Sequence, residues 1–372
     1  MLDPAKRYSN TKYTLSIIAV FYTITLILVA LGSGFSLSLE GYLKGLNLPG
    51  YLSIAVFLLV ISVSYYLLNL PLNFYAGYTL EHEFNLSKQK PGDWWLDQLK
   101  SGVLAYIISL ILVLAFYWIL AGFGHWWWLA VSVFWIFFSV ILAKLTPVLI
   151  IPLFFKYKKL EDQALCERIF RLAQAMRVEL LDVFEIDFSK KTLKANAAFT
   201  GMGRTRRVIL ADTLKDKYSH DEIEVILAHE FAHYRLKHIL KLIAINSLVT
   251  LGLFFLIFKT STYALGLFKL DSLTQLASLP LVFLYFMIFG TIMQPLEAYL
   301  SRRFEREADK LALKVTGAKE AFVSLMEKLA AQNLADRNPH PIIKFLFFDH
   351  PPIDERIETT KGRFSTQSRT VP

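Results

Sequence analysis

Five long runs without a charged residue limit what this chain can fold into: Tyr13–Leu39, Gly45–Leu80, Ser101–Ala143, Leu242–Phe258 and Ser272–Leu296. A helix needs about 20 apolar residues to cross a bilayer core, and in that medium its backbone must satisfy its own hydrogen bonds. The third run is about twice a span's length and is broken at Ala121-Gly122-Phe123-Gly124-His125, so it reads as a helical hairpin. Six transmembrane helices are expected, near residues 13–35, 51–72, 102–122, 127–150, 241–259 and 279–300. The first lacks a small-residue cleavage site behind it and reads as a span, not a signal peptide. Trp126-Trp127-Trp128 fits an aromatic belt at the membrane interface.

Basic residues orient these spans. One side holds Lys6, Arg7 and Lys12, then Lys88, Lys90 and Lys100, then a soluble insert and the C-terminal tail. The opposite connections hold only Lys44, Lys259 and Lys269. The positive-inside rule places the first set, with both termini, in the cytoplasm. The net charge of +9 then reflects loops beside anionic lipid. No phosphate-cradling glycine loop or aromatic-basic alternation points to nucleic acid. A single cysteine, Cys166, excludes an internal disulfide and a cysteine metal site.

The chemistry lies in His229-Glu230-Phe231-Ala232-His233. This is H-E-x-x-H, and on a helix its two imidazoles stand one turn apart on one face. Glu230 falls between them, placed to hold a water beside an ion. Ser219 and Glu222 form a capping box ahead of the motif, and Ile223, Ile226 and Leu227 give an apolar stripe. The bland alternative is two surface histidines on an ordinary helix. A third ligand is required, and the long metzincin extension fails at Leu236 and Ile239. Ser301–Asp309 supplies Glu305 and Asp309, four apart on one helical face, with Glu307 roughly 200° away. Glu305 is assigned to the metal. Asp309 is assigned to a hydrogen bond that fixes the tautomer of a ligand imidazole. Alone, this acidic pair would read as a solvated face paired with nearby arginines. His82, His125, His220 and His340 have no clear partners, and His238 is expected at the membrane surface.

The organisation follows: a four-span region (1–155), a soluble insert carrying H-E-x-x-H (156–240), a two-span hairpin (241–300) and a tail with the third ligand (301–372). The insert should hold an amphipathic helix, about Leu160–Arg177. Strands are expected at Val183–Asp187, Lys194–Thr200 and Arg207–Ala211, the last two joined by a hairpin at Gly201-Met202-Gly203. The H-E-x-x-H helix should run straight into the fifth span, and the sixth span into the Glu305 helix. A helix near 318–333, an extended stretch to His350-Pro351-Pro352 and a last short helix complete the tail. Residues 359–372 read as an unordered polar end. The fold class is mostly α and polytopic, with a gluzincin-like zinc protease domain carrying a small β-sheet.

With these residues in view, the chain resembles the integral-membrane zinc CAAX prenyl proteases over nearly its whole length. The resemblance rests on Glu81-His82-Glu83-Phe84-Asn85, Asp97-Gln98-Leu99-Lys100, Pro152-Leu153-Phe154, Asn196–Gly201, Leu210–Leu214, His229–His233, Ser301–Asp309, His350-Pro351-Pro352 and Glu355-Arg356. It implies one zinc ion per chain and a water-filled intramembrane chamber capped by the zinc domain. It also implies that Asn196, His350 and Arg356 lie at the catalytic centre. Eukaryotic members have seven spans where this chain has six. The related HtpX-like quality-control proteases usually have two spans before the metal motif, against four here, which favours the CAAX-type branch.

The expected activity is zinc-dependent endopeptidase cleavage, with His229, His233 and Glu305 on zinc and Glu230 as base. The partners are a peptide or protein substrate, lipidated or membrane-embedded, and the bilayer. The alternatives are HtpX-like turnover of misfolded membrane proteins and, from another class, a non-catalytic zinc-stabilised scaffold or chaperone. The strand at Lys194–Thr200 should be an exposed edge that a substrate extends. Asn196 or His350 would then donate to the oxyanion; the bland alternative is a turn contact and a helix cap. Arg356 would brace the tail through a carboxylate.

Overall fold

The computed structural model describes residues 3–201, 206–215 and 217–362. Six helices are long and apolar enough to cross a membrane. The chain opens with α1 (Pro4–Gly32), then α2 (Phe35–Gly45) and α3 (Gly50–Phe74), which passes through a wide turn at Tyr75–Thr79 into α4 (Leu80–Glu83). Next come α5 (Pro91–Gly122) and α6 (Trp127–Leu145), the latter followed by a second wide turn at Thr146–Ile150. Pro71 stands inside α3 and Pro147 inside the second wide turn; each removes a backbone donor and opens the helical ladder. Helix α2 was not expected. Gly34, at φ +73, turns the chain after α1, and α2 buries Glu40, whose Oε2 accepts from the Ala277 amide at 3.0 Å. The four spans before the insert therefore pack with a fifth, shorter helix.

The sheet-bearing unit starts at β1 (Tyr157–Lys159), which the sequence reading missed, and continues through α7 (Gln163–Ala175) and β2 (Asp182–Ile186). Then follow β3 (Ala197–Thr200), β4 (Arg207–Ala211), α8 (Asp212–Lys215) and α9 (His220–Arg235). Asp162 caps α7 by accepting from the Leu165 amide at 2.9 Å. The strand order is β1-β2-β4-β3, with β2 parallel to β4 and the other pairs antiparallel. Strand β3 is thus an edge. Its pairing with β4 is hairpin-like, but residues 202 and 203 of the expected turn lie outside the described residues. Lys194–Asn196, expected as strand, is an extended lead-in, although Asn196 still accepts from the Ala211 amide at 3.0 Å.

Beyond α9 come α10 (His238–Leu267), α11 (Leu279–Thr316), α12 (Lys319–Asn333), α13 (Pro341–Phe347) and α14 (Ile353–Thr360). Two expectations fail here. The H-E-x-x-H helix does not run into the fifth span: Lys237 adopts the left-handed conformation, φ 58, and closes α9 before α10 begins. The stretch before His350 is not simply extended, because α13 forms there with His340 accepting from the Ile342 amide. The last helix also reaches Thr360, inside the segment expected to be unordered, and 363–372 lie outside the described residues. Helix α11 does run unbroken from the span through Glu305, with Pro295 inside it.

Candidate active site

The site forms where α9 packs on α11. Ala228 and Ala232 of α9 and Ala308 and Ala312 of α11 are fully buried in one core cluster. Small side chains let two helix backbones approach closely, so that the short reach of Glu305 suffices. Phe231, between the two histidines in sequence, is also fully buried and meets Phe199 of β3 edge-on at 5.0 Å. Burying such a ring contributes roughly 1.5–3 kcal/mol, and here it pins the histidine helix to the edge strand.

Three donors converge. His233 Nε2 lies 3.0 Å from His229 Nε2 and 3.2 Å from Glu305 Oε1, and His229 Nε2 lies 3.1 Å from Glu305 Oε2. One ligand atom from each residue falls within 4.8 Å of the others. Glu305 Oε2 is buried and makes no hydrogen bond. A buried acceptor left without a donor, on a carboxylate whose two oxygens each face one imidazole nitrogen, fits a cation rather than an ordinary polar cluster.

The far side of each imidazole is held in turn. His229 Nδ1 bonds Asp309 Oδ1 at 2.9 Å, and Arg356 donates to both oxygens of Asp309, at 2.8 and 2.6 Å. His233 Nδ1 bonds His238 Nδ1 at 3.1 Å; His238 Nε2 reaches Glu307 at 3.3 Å. Both Nε2 atoms are thereby directed at Glu305. Burial pulls the His229 pKa down, but the Asp309 and Glu305 carboxylates more than reverse this and hold it at about 9. Burial pushes Glu230 above the ordinary carboxylate value.

Five of the sequence-predicted residues, Asn196, His229, Glu230, His350 and Arg356, line one cavity of about 410 Å³; His233, Glu305 and Asp309 join them through their contacts with His229. Asn196 is set by ties on the preceding residues. The Ala195 amide donates to Asn333 Oδ1 at 3.0 Å, Thr213 donates to the Lys194 carbonyl at 2.9 Å, and the Leu193 amide donates to the Leu86 carbonyl at 2.8 Å. His350 comes from the far end of the chain, its Nε2 3.5 Å from Glu305 Oε1. Burial lowers its pKa, but Asp349 and Glu305 outweigh this and leave it raised. Arg356 contacts Asp309, a bracing role, and also lines the cavity.

Two contributors were missed. His238, expected at the membrane surface, is buried within the protein, 1% exposed, and stacks on Phe304 at 4.6 Å. The break at Lys237 starts a new helix at His238 and turns its ring onto His233. Arg302 donates to the carbonyls of Lys344 and Phe348 and so fixes the segment that carries His350. The remaining histidines stay apart: both nitrogens of His82 meet backbone carbonyls, and His220 pairs with Asp162.

A multi-pass helical frame that sets an H-E-x-x-H helix against a Glu-bearing helix defines an integral-membrane metalloprotease. The chain belongs to peptidase family M48, whose profile matches residues 159–363; a second profile, CAAX prenyl protease N-terminal, five membrane helices, matches residues 2–156. It is 32% identical over 361 residues to the metalloprotease YhfN of Bacillus subtilis, covering 96% of this chain and 84% of that one. It is also 32% identical over 309 residues to CAAX prenyl protease 1 of Saccharomyces cerevisiae, covering 78% and 68% respectively. The crystal structure of S. mikatae Ste24p matches with a TM-score of 0.86 at 27% identity, over 96% of this chain and 88% of that one. The protein is therefore a membrane metalloendopeptidase that resembles the CAAX prenyl proteases.

Proposed function

We propose that the chain is a zinc endopeptidase that cleaves extended, lipidated peptides at the cytoplasmic face of a membrane. The convergence of His229, His233 and Glu305 beside Glu230 carries this reading. Those three residues would hold the zinc, which when bound acidifies water and polarises a carbonyl. The substrate adds to β3 as a further strand, through main-chain hydrogen bonds that ask little of its side chains. Glu230 takes a proton from water and returns it to the leaving amine nitrogen. Asn196 and His350 donate hydrogen bonds to the oxyanion, roughly 2.7–4 kcal/mol for each donor in a dry site. Asp349, bonded to His350 Nδ1 at 2.9 Å, orients the ring so that Nε2 faces the site. Arg356 holds Asp309, and Asp309 holds the His229 tautomer.

The lipidated substrate class follows from similarity to the CAAX prenyl proteases. HtpX-like turnover of damaged membrane proteins is the second reading, supported by an edge strand that reads backbone alone. Purified protein, with and without chelator, incubated with a prenylated CAAX peptide, its unprenylated twin and an unmodified membrane protein separates the two. Chelator-sensitive cleavage of the prenylated peptide only is the expected result; preference for the unmodified protein would establish the second reading. In the same assay Asn196→Ala and His350→Ala should each lower kcat by about 10²-fold, with zinc content and Tm kept. Losses that track Tm or zinc would make both residues structural.

The cytoplasmic placement rests on the charge distribution across the six spans. In a Cys166→Ser background, single cysteines at positions 190 and 345 should react with an impermeant maleimide only after the cytoplasmic side is opened. Labelling from the outside would invert the topology.

A further inference from the structure

A second, larger cavity, about 1130 Å³, lies where α6 and α10 meet the sheet and the end of α9. Its two walls differ in chemistry. The membrane helices give an apolar wall that includes Ile136 and Val140 of α6 and Leu240 and Ile243 of α10. Six cations also line it: Lys144, Arg177, Arg206, Arg207, Arg235 and Lys237. Among the described residues, no carboxylate does. Among the described residues only Arg206 of the six forms an ion pair, with Glu179 at 3.5 Å.

Gathering unpaired cations is unfavourable unless an anion joins them. Two of the six also sit in a backbone conformation that favours glycine: Arg177 at φ 52 and Lys237 at φ 58, each just past a helix end. The helix ends account for part of the charge, since Arg235 donates to the Met176 carbonyl at 2.8 Å. Among the described residues they leave Lys144, Arg177, Arg207 and Lys237 uncommitted to any ion pair. The apolar wall is open to the membrane side, with Ile239 and Leu240 both more than half exposed.

We propose that this cavity binds an anionic phospholipid, its phosphate among the cations and its acyl chains along α6 and α10. The double character, apolar toward the spans and cationic toward the sheet, matches a charged headgroup on a hydrocarbon tail. An isoprenoid chain carries no charge, and a lipidated peptide brings only its terminal carboxylate to the six cations; KM for such a peptide separates the two cases. The cavity also reaches Phe199, Thr200 and Gly201, the far end of the β3 edge. Lipid occupancy would therefore steady the strand proposed to receive substrate. That last step rests on the substrate reading above; the binding itself does not.

Binding is measured in the Glu230→Gln protein, so that failure of the peptidase reading leaves the test intact. The protein is purified in nanodiscs of phosphatidylcholine with a minor share of phosphatidylglycerol, and retained lipid is counted by native mass spectrometry. Phosphatidylglycerol should be enriched roughly tenfold or more over its bulk share. Adding Arg177→Gln with Lys237→Gln should abolish the enrichment, while the charge-conserving Arg177→Lys with Lys237→Arg keeps it. Neutralising Lys88 and Lys90, on a different connection, should leave it unchanged. Three results would overturn the proposal: no enrichment, enrichment that survives the Gln pair, or equal loss on neutralising Lys88 and Lys90. So would a Gln pair that keeps its lipid but raises KM for a lipidated peptide in otherwise active protein, which would make the cavity a substrate subsite.

Discussion

Glu230→Gln is expected to lower kcat for peptide hydrolysis by about 10²-fold or more while the protein keeps its zinc. Glutamine matches the size and polarity of the carboxylate but cannot accept the proton. Glu230 follows His229 on α9 and lines the same cavity. Its charge is not needed to hold the ion, because the three converging donors come from other residues. The wild-type pH profile should carry the same signature. Burial raises the Glu230 pKa above its ordinary value near 4.3. The base form exists only above that raised pKa, so kcat/KM should fall on the acid side at a higher pH than an exposed glutamate would give. The residual activity of Glu230→Gln should lack that limb. Near-normal turnover in the variant would remove Glu230 from the mechanism.

Zinc itself should be lost from His229→Ala, His233→Ala and Glu305→Ala, and kept in Glu307→Ala. Two of the four residues are acidic neighbours on α11, yet they face opposite partners. Glu305 is 5% exposed and meets both imidazoles, whereas Glu307 contacts His238, Arg303 and Lys241. Asp309→Asn should weaken zinc by about 10- to 100-fold without abolishing it, since it disturbs only the orientation of His229. Loading should also depend on pH. The metal-free His229 holds its proton up to about pH 9, and the metal needs the nitrogen lone pair. Binding therefore releases a proton, and affinity should drop by about tenfold per unit as pH falls below that value. Elemental analysis of the alanine variants and zinc titration at several pH values decide these points. Retention in Glu305→Ala with loss in Glu307→Ala would reverse the assignment.

Much of this was legible before any coordinates. Spans announce themselves because hydrocarbon tolerates only long apolar helices, and all six were located, although several helices extend well past the uncharged runs. The capping box at Ser219 and Glu222 formed as written. The spacing of His229, Glu230 and His233 is local, and helical periodicity converts it directly into geometry. Glu305 and Asp309 could be paired with it because they too share one helical face.

What stayed hidden was decided by contacts between segments distant in sequence. His238 was misplaced because one left-handed residue, Lys237, ends α9, and nothing in a single lysine announces that conformation. Strand β1 is three residues long and exists only because β2 offers it a ladder. Helix α2 is held in part by Glu40 accepting from the Ala277 amide, 237 residues away in sequence. Arg302 could not be connected to His350 until α13 lay against α11. The sequence by itself determined the spans, the histidine helix and the residues able to bind a metal, since each depends on periodicity within one segment. Only the tertiary structure decided which nitrogen of each imidazole faces Glu305, that His238 braces His233 from behind, and that Arg302 holds the segment carrying His350. Those depend on how α9, α11 and the tail pack, and packing is a property of surfaces that meet only once the chain has folded.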